Sequence, residues 1–318
     1  MIMKLIGFKE EVASNFKLSI VVSVYKSNPF LQRFLDHLLQ LEGIEDHEVL
    51  FVLNLPNFEE REIIDSFITT NANIDLRIIC LNEVATVFRS WNIGISEAKF
   101  EQIVITNIDD LFCSNALKAY IEAFHKNPQV SLFYSGFMVV QDLECKISRK
   151  IKPRKFNRDS FKQEMRISPF FAIRKDLWRE LGYFDESFRI AGDFDFAIRM
   201  AETASALGIE DYLGYVLSRP DSLSSIRNEV HVRRHMMERL AIRLRYNSWS
   251  SERFENDLAR EMERIGDYLF LQDVKVFKIS PAKFFILRRL HGVWIIWRKE
   301  QIKRKLMKVL KQYIFKKR

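Results

Sequence analysis

Leu18-Ser-Ile-Val-Val-Ser-Val24, running on into Tyr25-Lys-Ser-Asn28-Pro29, is the stretch on which the fold turns. Five apolar residues in seven, closed by a polar loop, read as a strand buried on both faces. Asn28-Pro29 then opens a helix, with Asn as N-cap and Pro at the first helical position. Leu31, Phe34, Leu35, Leu38 and Leu39 follow at helical spacing, so one face of that helix is apolar.

Outward from this unit the pattern repeats. Apolar strands are expected at 49–53, 76–81, 103–106 and 130–140, with helices at 59–69, 84–97 and 114–126 between them. Continuous apolar strands alternating with helices predict an α/β fold with a mostly parallel, Rossmann-like sheet covered on both faces. Such sheets bind ligands beyond the carboxyl ends of their strands. Attention therefore goes to residues 24–28, 54–57, 82–83 and 107–110. From about 229 the strand signal ends, and helices are expected at 229–246, 252–271 and after Pro281. A boundary near 226 divides a catalytic domain, 1–226, from a helical extension, 227–318.

Composition narrows the classes. The 318 residues include only 10 Gly and 7 Pro, which excludes collagen-like and low-complexity chains. Cys80, Cys113 and Cys145 are scattered and lack metal-ligand spacing, as in a reducing compartment. Lys9, Glu10 and Glu11 interrupt any signal-peptide core, so a cytoplasmic location is expected. The net charge of +8 suggests a polyanionic partner. Glycine patterns of phosphate loops and dinucleotide sites are absent, and His231 and His235 lack the Glu of a zinc-protease helix.

Two segments carry chemistry. Ile103-Val-Ile-Thr-Asn107-Ile-Asp109-Asp110 ends a buried strand in one amide and two carboxylates. Adjacent carboxylates repel unless a cation or a proton relieves them, and such oxygen ligands suit Mg²⁺ or Mn²⁺. The alternative is that Asp110 or Ser114 merely caps the next helix. The second segment, Gly182-Tyr-Phe-Asp185 to Gly192-Asp193-Phe-Asp195, sets two carboxylates at the start of an apolar helix, where the helix dipole favours them.

Together these segments resemble a family 2 glycosyltransferase with the nucleotide-sugar-binding GT-A fold. Ser19–Tyr25 is similar to the family's opening strand and Tyr-bearing loop, and Ser90-Trp-Asn92-Ile-Gly94 to its Arg-Asn-x-Gly-like helix. Asn107-Ile-Asp109-Asp110 stands at the Asp-x-Asp position. Gly182–Asp185 and Gly192–Asp195 resemble two later segments, and Asp221-Ser-Leu-Ser224 the late loop. The resemblance implies an inverting transferase moving a sugar from a nucleoside diphosphate sugar to a hydroxyl of a glycan or lipid-linked acceptor, in surface polysaccharide, lipopolysaccharide or glycolipid synthesis. It implies donor binding by Tyr25, Asn54, Asn92, Asn107, Asp109 and Arg219, and Mg²⁺ or Mn²⁺ on Asp109 and Asp110. Asp193 is implied as catalytic base, with Asp185 and Asp195 on the acceptor side.

The chain departs from the family pattern at several points. Asn107 replaces the first Asp of Asp-x-Asp, Asn54 an Asp that contacts the base, Trp91 an Arg, and Gly192 a Glu beside the base. Arg219 falls where a metal-binding His often stands. An arginine there neutralises diphosphate directly and weakens the need for metal. Two other readings stay open: a degenerate sugar-nucleotide-binding scaffold, and a nucleotidyl- or phospho-sugar transferase.

The charge is unevenly spread. Residues 275–318 hold 15 Lys/Arg and one acid, a net +14 that leaves −6 for the rest. Leu287, Leu290, Trp294 and Trp297 share one helical face there. Such a helix reads as lying on an anionic membrane through residues 283–318, or as packed on the domain with a solvated basic face. Nucleic acid is disfavoured because no recognition motif accompanies the charge. Residues 149–162, with seven Lys/Arg, read as a mobile loop or a flap near substrate phosphates.

Overall fold

In a computed structural model of the chain the described residues are 16–164, 167–220, 222 and 229–246. Their strands are β1 (Leu18–Val24), β2 (Glu48–Asn54), β3 (Asp75–Leu81), β4 (Gln102–Asn107), β5 (Leu111–Phe112), β6 (Leu132–Val140), β7 (Ile147–Ile151), β8 (Phe171–Arg174) and β9 (Ala206–Leu217). They form one sheet in the order β3-β2-β1-β4-β8-β6-β9-β5, with β7 paired to β6. β3, β2, β1 and β4 are parallel, and β9 runs parallel to β6. β8, β5 and β7 are antiparallel to their partners, so the sheet is mixed rather than uniformly parallel.

The helices are α1 (Asn28–Leu38), α2 (Phe58–Thr70), α3 (Val87–Glu97), α4 (Ala116–Lys126), α5 (Arg158–Gln163), α6 (Lys175–Leu181), α7 (Gly192–Thr203) and α8 (Glu229–Tyr246). Every residue of β1 and β2 is buried, as helix-covered parallel strands require. Glu48, fully buried at the start of β2, is satisfied by Ser19 Oγ and Arg77 at 2.5 Å and by the Lys99 amide at 2.7 Å. Gly94 lets α3 lie against the sheet: a Cβ there would stand 2.3 Å from Val21 Cγ1 and 3.0 Å from Val52 Cγ2.

Some local expectations change. Ser27, not Asn28, is the N-cap of α1, and it makes no side-chain cap. Its amide and hydroxyl instead donate to Glu60 at 2.5 and 2.7 Å, a charged acceptor being the stronger partner. Glu60 also closes a capping box with Asn57 on α2, so one buried carboxylate fixes the loops after both β1 and β2. The capping alternative for Asp110 and Ser114 fails, because α4 begins at Ala116 with Asn115 as its N-cap.

β5, β7, β8 and β9 were not expected. β7 is almost wholly exposed and basic, so it has no apolar signature, and it forms because β6 offers it an open edge. The Glu210-Asp211 pair breaks the alternation of β9 where its register against β6 shifts. The basic stretch 149–162 is thus the end of β7, an irregular run and most of α5 rather than one loop.

Among the described residues, those up to Arg189 with Phe196–Arg219 make one compact unit, and Ile190–Asp195 with those between Pro220 and Tyr246 make another. The helices expected at 252–271 and after Pro281, the tail at 283–318 and most of the 221–224 loop lie outside the described residues.

Candidate active site

In the first unit the site begins at the end of β4. Asp110 N bonds Asn107 O at 3.2 Å, closing a tight turn whose Ile108 is buried while Asp109 and Asp110 are half-buried. Leu111 follows at once and pairs with Tyr215 of β9. Four strand spacings separate β4 from β5 in the sheet order, about 19 Å if flat. The four residue-to-residue steps from Asn107 to Leu111 span at most about 14 Å. The sheet must therefore curl, and the curl brings the end of β9 to the end of β4.

Arg219 stands two residues beyond β9, whose end is held by Ser218 N donating to Val140 O at 2.9 Å. Its guanidinium meets Asp109 Oδ2 at 2.7 Å and lies 4.4 Å from the centre of the Phe30 ring. Asp110 accepts from the Leu217 backbone and the Asn107 side chain. Burial, reinforced by the charge of Asp109, holds the Asp110 carboxyl well above the ordinary carboxylate range.

The neighbouring strand ends are shaped by strained backbone and pinned amides. Lys26 after β1 and Leu55 after β2 both take φ of 49°, left-handed values that non-glycine residues rarely adopt. Tyr25 is 42% exposed, with the Lys26 ammonium 5.3 Å from its ring centre. Asn54, expected on the donor, is 2% exposed and grips the Ala85 backbone at both ends, at 2.7 and 2.8 Å. Asn92 does the same to Phe184, at 2.9 and 3.0 Å, and also donates to Glu186 at 2.9 Å. Both asparagines hold loops. Trp91, at the family's Arg position, packs on Phe88 and Phe184 with centroids 5.6 and 5.4 Å apart. The motif 90–94 thus locks the segment 182–186.

That segment turns at Gly182 and Tyr183, both left-handed, while Arg199 donates to the carbonyls of Leu181 and Tyr183 at 2.5 and 2.7 Å. Asp185, expected on the acceptor side, accepts from the amide and hydroxyl of Ser187 and so closes its own turn. A cavity of about 230 Å³ lies beside β6, lined in part by Ser135, Ser168, Lys152 and Arg154.

In the second unit the first turn of α7 carries Asp193 and Asp195. Glu238 of α8, fully buried, accepts from the Ile190 and Ala191 amides at 2.8 and 2.9 Å and pairs with Arg234 at 2.6 Å. Asp195, also expected on the acceptor side, is 1% exposed and receives Arg245 and the Tyr246 hydroxyl, each at 2.9 Å. It anchors α8. Asp193 is half-buried, accepts from Phe194 N at 2.8 Å, and has its carboxyl pushed up to about 6. Burial is the main cause and Glu238 adds to it, while the Phe194 amide and Arg239 oppose it. Arg239 lies 5.1 Å from the Phe194 ring centre.

Glu238 and Arg239 were missed because a helix rich in Arg and His reads as a solvated basic face. The available signal was Arg234-x₃-Glu238, an acid set within a cationic helix at ion-pair spacing.

Whether the site suits a divalent cation depends on its donor set. Asp109 and Asp110 offer hard oxygen ligands of the kind Mg²⁺ and Mn²⁺ take, with positions left for phosphate and water. Among the described residues no group of three His, Cys, Asp or Glu converges, and Asp109 and Asp110 are the two carboxylates they place at this strand end. As oxygen donors they fit such an ion, and Asp109 is paired with Arg219 in this structure. No helix among the described residues is long and apolar enough to cross a membrane.

Comparison with known proteins bears on the fold and the family. A Haemophilus influenzae protein described as an uncharacterized glycosyltransferase is 20% identical over 192 residues, 59% of this chain and 63% of that protein. Among solved structures, S. aureus TarS 1-349 in complex with UDP-GlcNAc aligns with a TM-score of 0.59 at 15% identity, over 90% of this chain and 92% of that one. The longer TarS structure is covered over only 54% of its length, with a TM-score of 0.58. Mannosyltransferase PcManGT from Pyrobaculum calidifontis, in complex with GDP-Man and Mn2+, aligns with a TM-score of 0.54 at 16% identity over 71% of this chain and 65% of that one. At such identities these structures share the GT-A fold. The profile of Glycosyl transferase family 2 matches residues 19–182, more than half of the chain, and the chain belongs to that family.

Proposed function

We propose that the protein transfers a sugar from a nucleoside diphosphate sugar to a hydroxyl of a glycan or lipid-linked acceptor, with inversion at the anomeric carbon. The observation that carries this reading is the strand end Asn107–Asp110, two carboxylates beside a guanidinium at the carboxyl edge of a family 2 sheet. The donor diphosphate is assigned to Asp109 and Arg219, with Asn107 beside them. Tyr25, exposed on its strained loop, is assigned to the nucleoside. Asn54 and Asn92 act by holding the loops that shape the donor side.

Mg²⁺ or Mn²⁺ held by Asp109 and Asp110 would supply charge neutralisation for the leaving diphosphate. Asp193 is assigned the acceptor proton. A carboxyl near 6 is mostly ionised at neutral pH, yet basic enough to accept a proton as the acceptor oxygen attacks. Arg239 and Glu238 tune it. The titratable carboxylate at the head of α7 favours transfer over a scaffold role, and it is a group a nucleotidyl transferase would not need.

Incubation with a panel of UDP-, GDP- and dTDP-sugars tests the reading. Slow release of nucleoside diphosphate from one donor, accelerated by a glycan or lipid-linked acceptor, is expected. Release of nucleoside monophosphate or pyrophosphate would point to the nucleotidyl class. No turnover, with a nucleotide sugar still bound, would point to the scaffold.

A further inference from the structure

We infer that Asp109 is one seat contested by two cations, Arg219 and a divalent metal, and that Arg219 passes to the donor diphosphate when the metal takes the seat. Only the second step rests on the nucleotide-sugar reading. The side chains of Arg219 and Asp109 are 24% and 19% exposed, so their 2.7 Å pair is shielded more than a surface ion pair. Phe30 supports the plane of the guanidinium from 4.4 Å, and the Ser218–Val140 bond fixes the root of the arm.

A divalent ion bound about 2.0 to 2.6 Å from the same carboxylate would crowd against that guanidinium. The site is poor in anions to absorb both charges. Asn107 is neutral where the family has an acid, and among the described residues Asp110 is the carboxylate that adjoins Asp109. A diphosphate brings the missing negative charge and offers a guanidinium two oxygens in fork geometry. Metal and donor should therefore bind with strong mutual dependence, and Arg219 should be the cause.

Two measurements on the full chain decide this. The first titrates Mn²⁺ without nucleotide, following free Mn²⁺ by electron paramagnetic resonance, for wild type, R219Q and R219A. Removal of the competing charge should tighten Mn²⁺ binding by about 10-fold, and D109N added to either variant should abolish the gain. Unchanged or weaker Mn²⁺ binding in folded R219Q and R219A overturns the contest. So does a gain that survives D109N. The second measures UDP and GDP by calorimetry in Mn²⁺. Both variants should lose about 10-fold or more in nucleotide affinity, as a charge-assisted contact is lost. Unchanged nucleotide affinity overturns the transfer to phosphate. Failure of every nucleoside diphosphate to bind wild type refutes the glycosyltransferase reading, while the Mn²⁺ titration still decides who holds Asp109.

Discussion

At the scale of single residues the informative groups are those whose surroundings change their chemistry. If Asp193 is the base, D193N should lower kcat by about 100-fold or more with little change in the KM for donor, because a positioned base contributes about 10²- to 10⁴-fold. Steady-state kinetics with saturating acceptor checks this. The rising limb of kcat/KM against pH should have its midpoint near 6. Arg239 favours the ionised carboxylate, so R239Q should move that midpoint upward, a shift a purely structural residue would not produce. Linkage gives the sign for stability. The folded state holds the proton more tightly than the ordinary value of 3.8 allows, so this contribution is present at low pH and fades as pH rises through about 6. Thermal melts between pH 5 and 7 should show that decline in wild type and a smaller one in D193N. Strand-end and helix-start positions drew attention to Asp109 and Asp193 in the sequence, and the family resemblance supplied the roles proposed for them. Nothing in the sequence revealed that Asn54 and Asn92 hold backbone, because an amide aimed at a ligand and one aimed at a carbonyl are spelled alike.

Elements were legible where burial wrote a pattern. β1, β2 and β4 are apolar on both faces and could be read directly, whereas β7 is exposed and β9 is interrupted. Packing adds a demand visible only in three dimensions at Gly94. G94A should lower stability by about 1–3 kcal/mol, because Val21 and Val52 belong to buried strands that cannot retreat. Urea unfolding should show a lower midpoint at unchanged slope. α8 follows the same logic. Its helix was predicted, but its part in shaping the first turn of α7 was not. E238A strips two amides and Arg234 of their buried acceptor and should destabilise by about 2–4 kcal/mol. Hydrogen exchange at Ile190 and Ala191 should quicken in that variant.

For the whole molecule, charge sets the expectations. The +14 of residues 275–318 and the −6 of the remainder are sequence facts, and we propose that the tail lies on an anionic membrane surface. Lys and Arg near such lipid contribute about 1 kcal/mol each. In flotation with anionic liposomes the full chain should rise, and a chain ending near 274 should stay behind; equal behaviour would leave the tail to packing. The fold class, the parallel strands and the strand end that presents Asp109 were determined by the sequence itself, because local periodicity and burial are encoded residue by residue. Tertiary structure alone decided the curl that brings Arg219 onto Asp109, the pinned asparagines and the setting of Asp193. Those depend on residues up to 110 positions apart, and a linear pattern carries no record of which distant charges will meet.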